Sequence, residues 1–285
     1  MKTDRTPQTN PILNSLGALL AVFLGLFYLQ PASAAVITAD FSGGADTWPG
    51  LAGEGWLNAW AQGGNGFPSS AVVLETGSLT PGKNRLQFTV EKNVSGADPS
   101  RRFYRRYDTA YVGAGHVVSF QFRLDSDPAD LTHVQFLDAS ITTKSINDAS
   151  WFIEATSGGN WRLYDGNSST SVDTGLQLFQ NNVYDFSIHV SPDTYVVTIR
   201  NLTTLGDDFT SGPLSYQGTN LVGGYLNFNV APKGGSEANP SVAAISLGSI
   251  SIQTIPEPGT VALMGAAVLL LLGHRLLKGR SNVGM

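Results

Sequence analysis

The chain has no cysteine among its 285 residues. Disulfides, zinc–thiolate sites and cysteine nucleophiles are therefore excluded, and the core must be held by packing alone. Charge is also scarce, at 14% Asp, Glu, Lys and Arg. Basic residues are the scarcer sign. Residues 35–274 carry 12 Lys and Arg against 21 Asp and Glu, which argues against nucleic acid as a partner. No Gly-x-Ser-x-Gly elbow occurs, so a serine triad of that kind has no anchor. His116, His133 and His189 are too far apart for a His-x-x-x-His zinc pair. No amphipathic helix of useful length is visible between 36 and 254. Glycine, by contrast, is plentiful at 32 residues.

Both ends are apolar. Lys2 and Arg5 precede a stretch from about Leu16 to Leu29, followed by Ala32-Ser33-Ala34. This predicts a secretory signal peptide over 1–34, cut between Ala34 and Ala35. At the other end, Pro256-Glu257-Pro258-Gly259-Thr260 leads into an uncharged run, Val261 to Leu272, then His274, Arg275, Lys278 and Arg280. With Leu276 and Leu277, and Arg275 snorkelling, a membrane span over about 260–277 is just long enough. Its basic flank belongs on the cytoplasmic side. The three parts together resemble the PEP-CTERM sorting signal of Gram-negative bacteria that secrete exopolysaccharide. The resemblance implies that residues 256–285 are a temporary anchor, cut at Pro256-Glu257-Pro258 by an exosortase-type enzyme. It implies export through the inner membrane to the cell surface or matrix.

Residues 35–255 are left for the fold. Five segments alternate with period two: Leu86, Phe88 and Val90; His116, Val118, Phe120, Phe122 and Leu124; Tyr184, Phe186, Ile188 and Val190; Tyr195, Val197 and Ile199; Leu226, Phe228 and Val230. Each reads as a half-buried antiparallel strand. The expected core is Phe88, Val118, Phe120, Phe122, Phe186, Ile188, Val197, Ile199 and Phe228. Ser191-Pro192-Asp193-Thr194 and Asp165-Gly166-Asn167 mark hairpin turns. A final strand over about Ala244 to Thr254 changes phase near Gly248-Ser249, which predicts a bulge. Many short strands with glycine-rich turns make an all-β antiparallel sandwich or barrel. The run Arg101-Arg102-Phe103-Tyr104-Arg105-Arg106, the strand Val117 to Arg123, the hairpin Tyr184–Ile199, and Asp40-Phe41 through Gly55-Trp56 to Trp60 resemble the laminin-G-like, concanavalin A-like jelly rolls. That resemblance selects a jelly-roll β-sandwich over 35–255.

Some bacterial members of that fold class are glucanases, with Glu-x-Asp-x-x-Glu on one strand. No such strand exists here, and Glu54, Glu75, Glu91, Glu154 and Glu237 are far apart. A glycoside hydrolase or lyase would need a non-contiguous carboxylate pair, and remains the alternative reading. No cofactor is expected. Calcium is the metal the resemblance allows, with Asp125, Asp127 and Asp130 as weak ligand candidates beside the second acidic pair, Asp207 and Asp208. Trp56 and Trp151 read as core plugs. Trp48 and Trp60 read as sugar-stacking platforms, with Asn58, Gln62 and Asn65 as amide neighbours. Alternation puts Arg102 and Arg106 on one side of their strand and Arg101 and Arg105 on the other. Arg102 and Arg106 suit an acidic polysaccharide; pairing with the chain's own acids is the competing reading. The expectation is a non-enzymatic, exported surface or exopolysaccharide-matrix protein that binds carbohydrate or serves as a passive structural unit.

Overall fold

Alternating apolar residues and glycine-rich turns do produce an all-β sandwich. The computed structural model describes residues 35–41, 49–65, 69–75, 79, 84–92, 100–112, 115–139, 149–166, 170–218, 224–236 and 238–255. The expected signal peptide, the 260–277 span, Ala34, Trp48, Pro256, Glu257 and Pro258 lie outside them. Among the described residues no helix is long and apolar enough to cross a membrane.

The strands in chain order are β1 (Val36–Ala39), β2 (Ala61–Asn65), β3 (Ser69–Glu75), β4 (Arg85–Lys92), β5 (Ser100–Arg106), β6 (His116–Leu124), β7 (Leu131–Ala139) and β8 (Ala149–Thr156). They continue as β9 (Asn160–Tyr164), β10 (Ser171–Gln177), β11 (Val183–Val190), β12 (Thr194–Asn201), β13 (Asp208–Thr210), β14 (Leu214–Ser215), β15 (Tyr225–Pro232) and β16 (Ser241–Thr254). One helical turn, α1 (Thr109–Val112), and a 3-10 turn at Pro128–Asp130 interrupt them.

Among the described residues, one sheet holds nine strands. Its path is β13-β12-β11-β6-β16-β4-β3, with β1 on β16 and β14 on β12. The other holds seven, in the order β10-β9-β8-β7-β15-β5-β2. All named strand pairs are antiparallel. The chain passes between the sheets repeatedly, so neighbours in a sheet are often distant in sequence.

All nine expected core residues are buried. Phe120 is central. Its ring stacks on Phe186 at 5.0 Å and meets Phe136 and Phe228 edge-on, each at 5.2 Å. Such pairs add about 0.5–1.5 kcal/mol each beyond area burial. The Ser191–Thr194 turn closes β11 on β12, with the Ser191 amide donating to the Thr194 carbonyl at 2.9 Å.

The bulge in β16 is where the phase change placed it: register with β6 shifts between Leu247 and Ile250. Gly248 fits there, because a Cβ would stand 3.0 Å from the Gln121 Cβ and push that side chain aside. The strand begins three residues earlier than expected, since Ser241, Val242 and Ala243 pair with Lys92, Glu91 and Val90.

Candidate functional site

The outward face of the seven-stranded sheet carries an unusual row of side chains. Register aligns Arg102 on β5 with Asn229 on β15, Gln135 on β7, Glu154 on β8 and Arg162 on β9. A parallel row aligns Tyr104, Asn227, Leu137 and Phe152. Strand parity sets these rows. The inward partners on the same strands are Phe103, Phe228, Phe136 and Ile153, all fully buried.

Hydrogen bonds run along the first row across four strands. The Tyr164 hydroxyl donates to Glu154 Oε2 at 2.5 Å, and Gln135 Nε2 donates to Glu154 Oε1 at 2.9 Å. Asn229 Nδ2 donates to Gln135 Oε1 at 2.7 Å and lies 3.3 Å from His133 Nε2. The row orients the Asn229 amide and leaves its Oδ1 without a partner, although the residue is only 2% exposed. Asn227, at 1%, likewise keeps an unpartnered Oδ1. Next to Asn229 on β5, Arg102 Nε and Nη1 are buried without a hydrogen-bond partner. Unused donors thus stand beside unused acceptors. Burial lowers the Arg102 pKa, with Tyr104 acting in the opposite sense. Burial and then the bond to Glu154 push the Tyr164 phenol up to about 12, so it stays a donor.

The row beside it is aromatic and apolar. The Arg102 guanidinium lies 5.3 Å from the Tyr104 ring centre, and that of Arg106 lies 5.5 Å from Tyr225. The two tyrosine rings are 6.3 Å apart. Leu137, Ala139, Ala149 and Phe152 form a second buried cluster, separate from the main core, with Tyr164 packed against it. Phe152 meets Tyr164 edge-on at 4.9 Å.

The sequence-predicted site residues divide between this face and the core. Arg102 and Arg106 are on the face, as alternation requires. Trp60 is not. It is 4% exposed, packed on Phe103 at 5.4 Å, Trp56 at 6.0 Å and Phe228 at 6.2 Å. The reason is Arg105, which is fully buried with its guanidinium 4.3 Å from Trp56 and 5.7 Å from Trp60. Arg105 Nε donates to the Asn58 carbonyl and Nη2 to that of Leu51. This desolvated cation needs aromatic faces and carbonyls, and it takes those Trp60 was expected to offer to sugar. Asn58 is also committed, since its Oδ1 accepts from the Arg106 amide at 2.9 Å. Trp56 and Trp151 are core plugs, as expected.

The three aspartates do not converge. Asp125 accepts from Arg123 Nε at 2.6 Å, from Gln87 at 3.1 Å and from Ser246 at 2.5 Å. Asp127 caps the 3-10 turn through the Ala129 amide. Among the described residues no group of three or more potential ligands forms a metal cluster. Donors within the protein meet both oxygens of Asp125 and one of Asp127.

A second polar group lies inside the sandwich. Asp138 is fully buried and accepts from the Tyr107 hydroxyl at 2.6 Å, the Gly224 amide at 2.9 Å and the Ser150 hydroxyl at 3.2 Å. Tyr107 also lies 3.4 Å from His116 Nε2. Burial, outweighing these donors, pushes the Asp138 carboxyl up to about 6. The cluster fixes the start of β15. It is closed to solvent, so it has no route to a substrate.

Tyr104, Tyr225, Asn229, Gln135 and Glu154 were not anticipated as site residues. Tyr104 had a signal: it sits midway between Arg102 and Arg106, two residues from each, so it shares their face. The others come from strands whose pairing is non-local.

No protein-family model matches the sequence, and no curated protein matches it. Among solved structures, the chain is similar to a protein of unknown function, SO2946, from Shewanella oneidensis MR-1. Identity is 13%, coverage 88% of this chain and 96% of that one, and TM-score 0.50. It is also similar to the carbohydrate esterase vb_24B_21 from the Shiga toxin-encoding bacteriophage phi24B, at 12% identity, 76% and 97% coverage and TM-score 0.46. Lectin II from Ulex europaeus follows at 12%, 69% and 98%, and 0.39. The first likeness shows a shared fold and says nothing of chemistry. The other two carry no argument about this chain.

Proposed function

We propose that the chain is an exported, non-enzymatic carbohydrate-binding protein that uses the outward face of the seven-stranded sheet. The observation that supports this is the polar row beside the tyrosines. Sugar rings need a flat apolar surface and fixed amide or guanidinium groups for their hydroxyls. Tyr104 and Tyr225 supply apolar ring surface, inclined at 57° to each other. Arg102 and Asn229, each with unspent hydrogen-bonding atoms, supply the second.

Glu154 stands between Gln135 and Arg162 in the row, and Asp173 is the next carboxylate beyond Arg162. A retaining glycosidase needs a second carboxyl about 5–5.5 Å away. Asp173 is a strand further on, opposite Arg162. Two strand spacings, about 9–10 Å, separate Glu154 from Asp173, too far for a retaining pair. The ends of the chain complete the reading: a signal peptide, then a sorting signal processed at Pro256-Glu257-Pro258, would deliver the domain to the surface or exopolysaccharide matrix.

A glycan array probed with the full chain, with and without calcium, tests the binding reading. We expect retention of a polysaccharide that Tyr104→Ala and Asn229→Ala abolish while Tm stays within a few degrees. Retention untouched by both variants, or hydrolysis of the bound glycan, would count against it. Sorting is tested separately. Replacing Pro256-Glu257-Pro258 should leave an uncut, membrane-held precursor, whereas wild-type processing of that variant would overturn the sorting proposal.

A further inference from the structure

Resting on the carbohydrate reading, we infer that the ligand is a polyanionic glycan, a sugar chain bearing carboxylates, and that Arg102 and Arg106 are its anion contacts. Both arginines stand on the face, and among the described residues neither makes an ion pair. This is notable in a chain whose acids outnumber its bases, 22 to 17. Each guanidinium instead lies near a tyrosine ring; Arg106 is exposed to a planar carboxylate, and Arg102 is half-buried with Nε and Nη1 covered.

The neighbouring acceptor narrows the chemistry. Asn229 is 2% exposed, and its Oδ1 has no donor. An anion alone would answer Arg102 but not Asn229. A uronate-type sugar answers both, its carboxylate accepting from the guanidinium and a ring hydroxyl donating to Oδ1. Arg102 and Arg106 are four residues apart on one strand, about 13 Å at 3.3–3.4 Å per residue. A single sugar ring does not bridge that distance, so the ligand is a chain. β2 lets the Arg102 and Tyr104 side chains lie close against it. At Gly63, opposite Arg102, a Cβ would stand 3.2 Å from Arg102 Nε and 3.4 Å from Tyr104 Cε1.

The test uses the full chain and three probes: polygalacturonate, alginate and hyaluronan. Each is compared with the same polymer after its carboxyls are reduced to alcohols. We expect at least one acidic polymer to bind tenfold or more tightly than its reduced form, and less tightly as salt is raised. Arg102→Gln with Arg106→Gln should remove that preference with an unchanged circular dichroism spectrum. Gly63→Val should weaken acidic binding without altering charge, and Arg200→Gln, on the other sheet, should have no effect. Equal binding of acidic and reduced polymers, still abolished by Tyr104→Ala, would overturn the anionic preference and leave the sugar face standing. Failure to bind any polymer would overturn both. Equal retention of single-stranded DNA would overturn the glycan assignment in favour of general polyanion binding.

Discussion

The two sheets treat polarity in opposite ways. In the nine-stranded sheet, β6, β11 and the centre of β4 alternate strictly in burial, with mostly aromatic and aliphatic side chains inward and, apart from Val117 and Val183, polar or charged ones outward. The seven-stranded sheet breaks the alternation on both sides. Inward it buries Arg105, Tyr107 and Asp138; outward it buries Leu137, Ala139, Phe152, Asn227 and Asn229. Departures of this kind cost stability unless each polar group is paired. Inside, Arg105 is met by carbonyls and indoles and Asp138 by three donors, while the indole N–H groups of Trp151 and Trp161 are buried without an acceptor. Outside, Asn227, Asn229 and Arg102 keep atoms that pair with nothing. The difference teaches where to look for a ligand: at the polarity that folding leaves unanswered.

The largest effects should come from the shared inner faces. Phe120→Ala and Trp60→Ala should each cost about 3–5 kcal/mol in chemical denaturation. A small loss at Trp60, under 1 kcal/mol, would return that ring to the surface and break the contrast. The buried carboxyl comes next. Asp138 ionises near 3.8 when unfolded and about 6 when folded. Between those values the folded state holds a proton that the unfolded state has released. Stability is therefore highest below about pH 4 and falls by about 3 kcal/mol as pH rises to about 6. Subtracting the pH profile of Asp138→Asn from wild type should isolate this fall; a flat difference would remove Asp138 as its source.

Smaller effects separate the two outward faces. Leu137→Ala, in the buried outer cluster, should cost about 2–3 kcal/mol. Ser187→Ala, outward on β11, should stay within about 0.5 kcal/mol. Equal costs would mean that the faces do not differ energetically.

Strands of the nine-stranded sheet were legible because their outward faces are polar, so period two shows in the residues themselves. β8 was hidden, and β15 showed period two over Leu226, Phe228 and Val230 but not beyond. β8 is buried on both sides over most of its length, and the second half of Tyr225–Pro232 places Val230, Ala231 and Pro232 in sequence without alternation. The arginine run was half legible. Parity placed Arg102 and Arg106 correctly, but nothing local says that Arg105 is roofed by Trp56 and Trp60 from 45 to 49 residues away. Asp125 misled in the same way: its loop looks like a cation site until Gln87 and Ser246 arrive from other strands.

β16 has a mechanical consequence. It is fourteen residues long, lies between β4 and β6, and takes β1 along its last turn of pairing, with Val36 opposite Gln253. It is also the strand that leads out of the domain. A tether applied at Ile255 therefore pulls along the axis of an interior strand. Its ladder bonds to three neighbours share that load and must slip together, in shear, instead of opening one at a time like a zip. A domain held by the end of this strand would be fastened at the place where its sheet resists traction best.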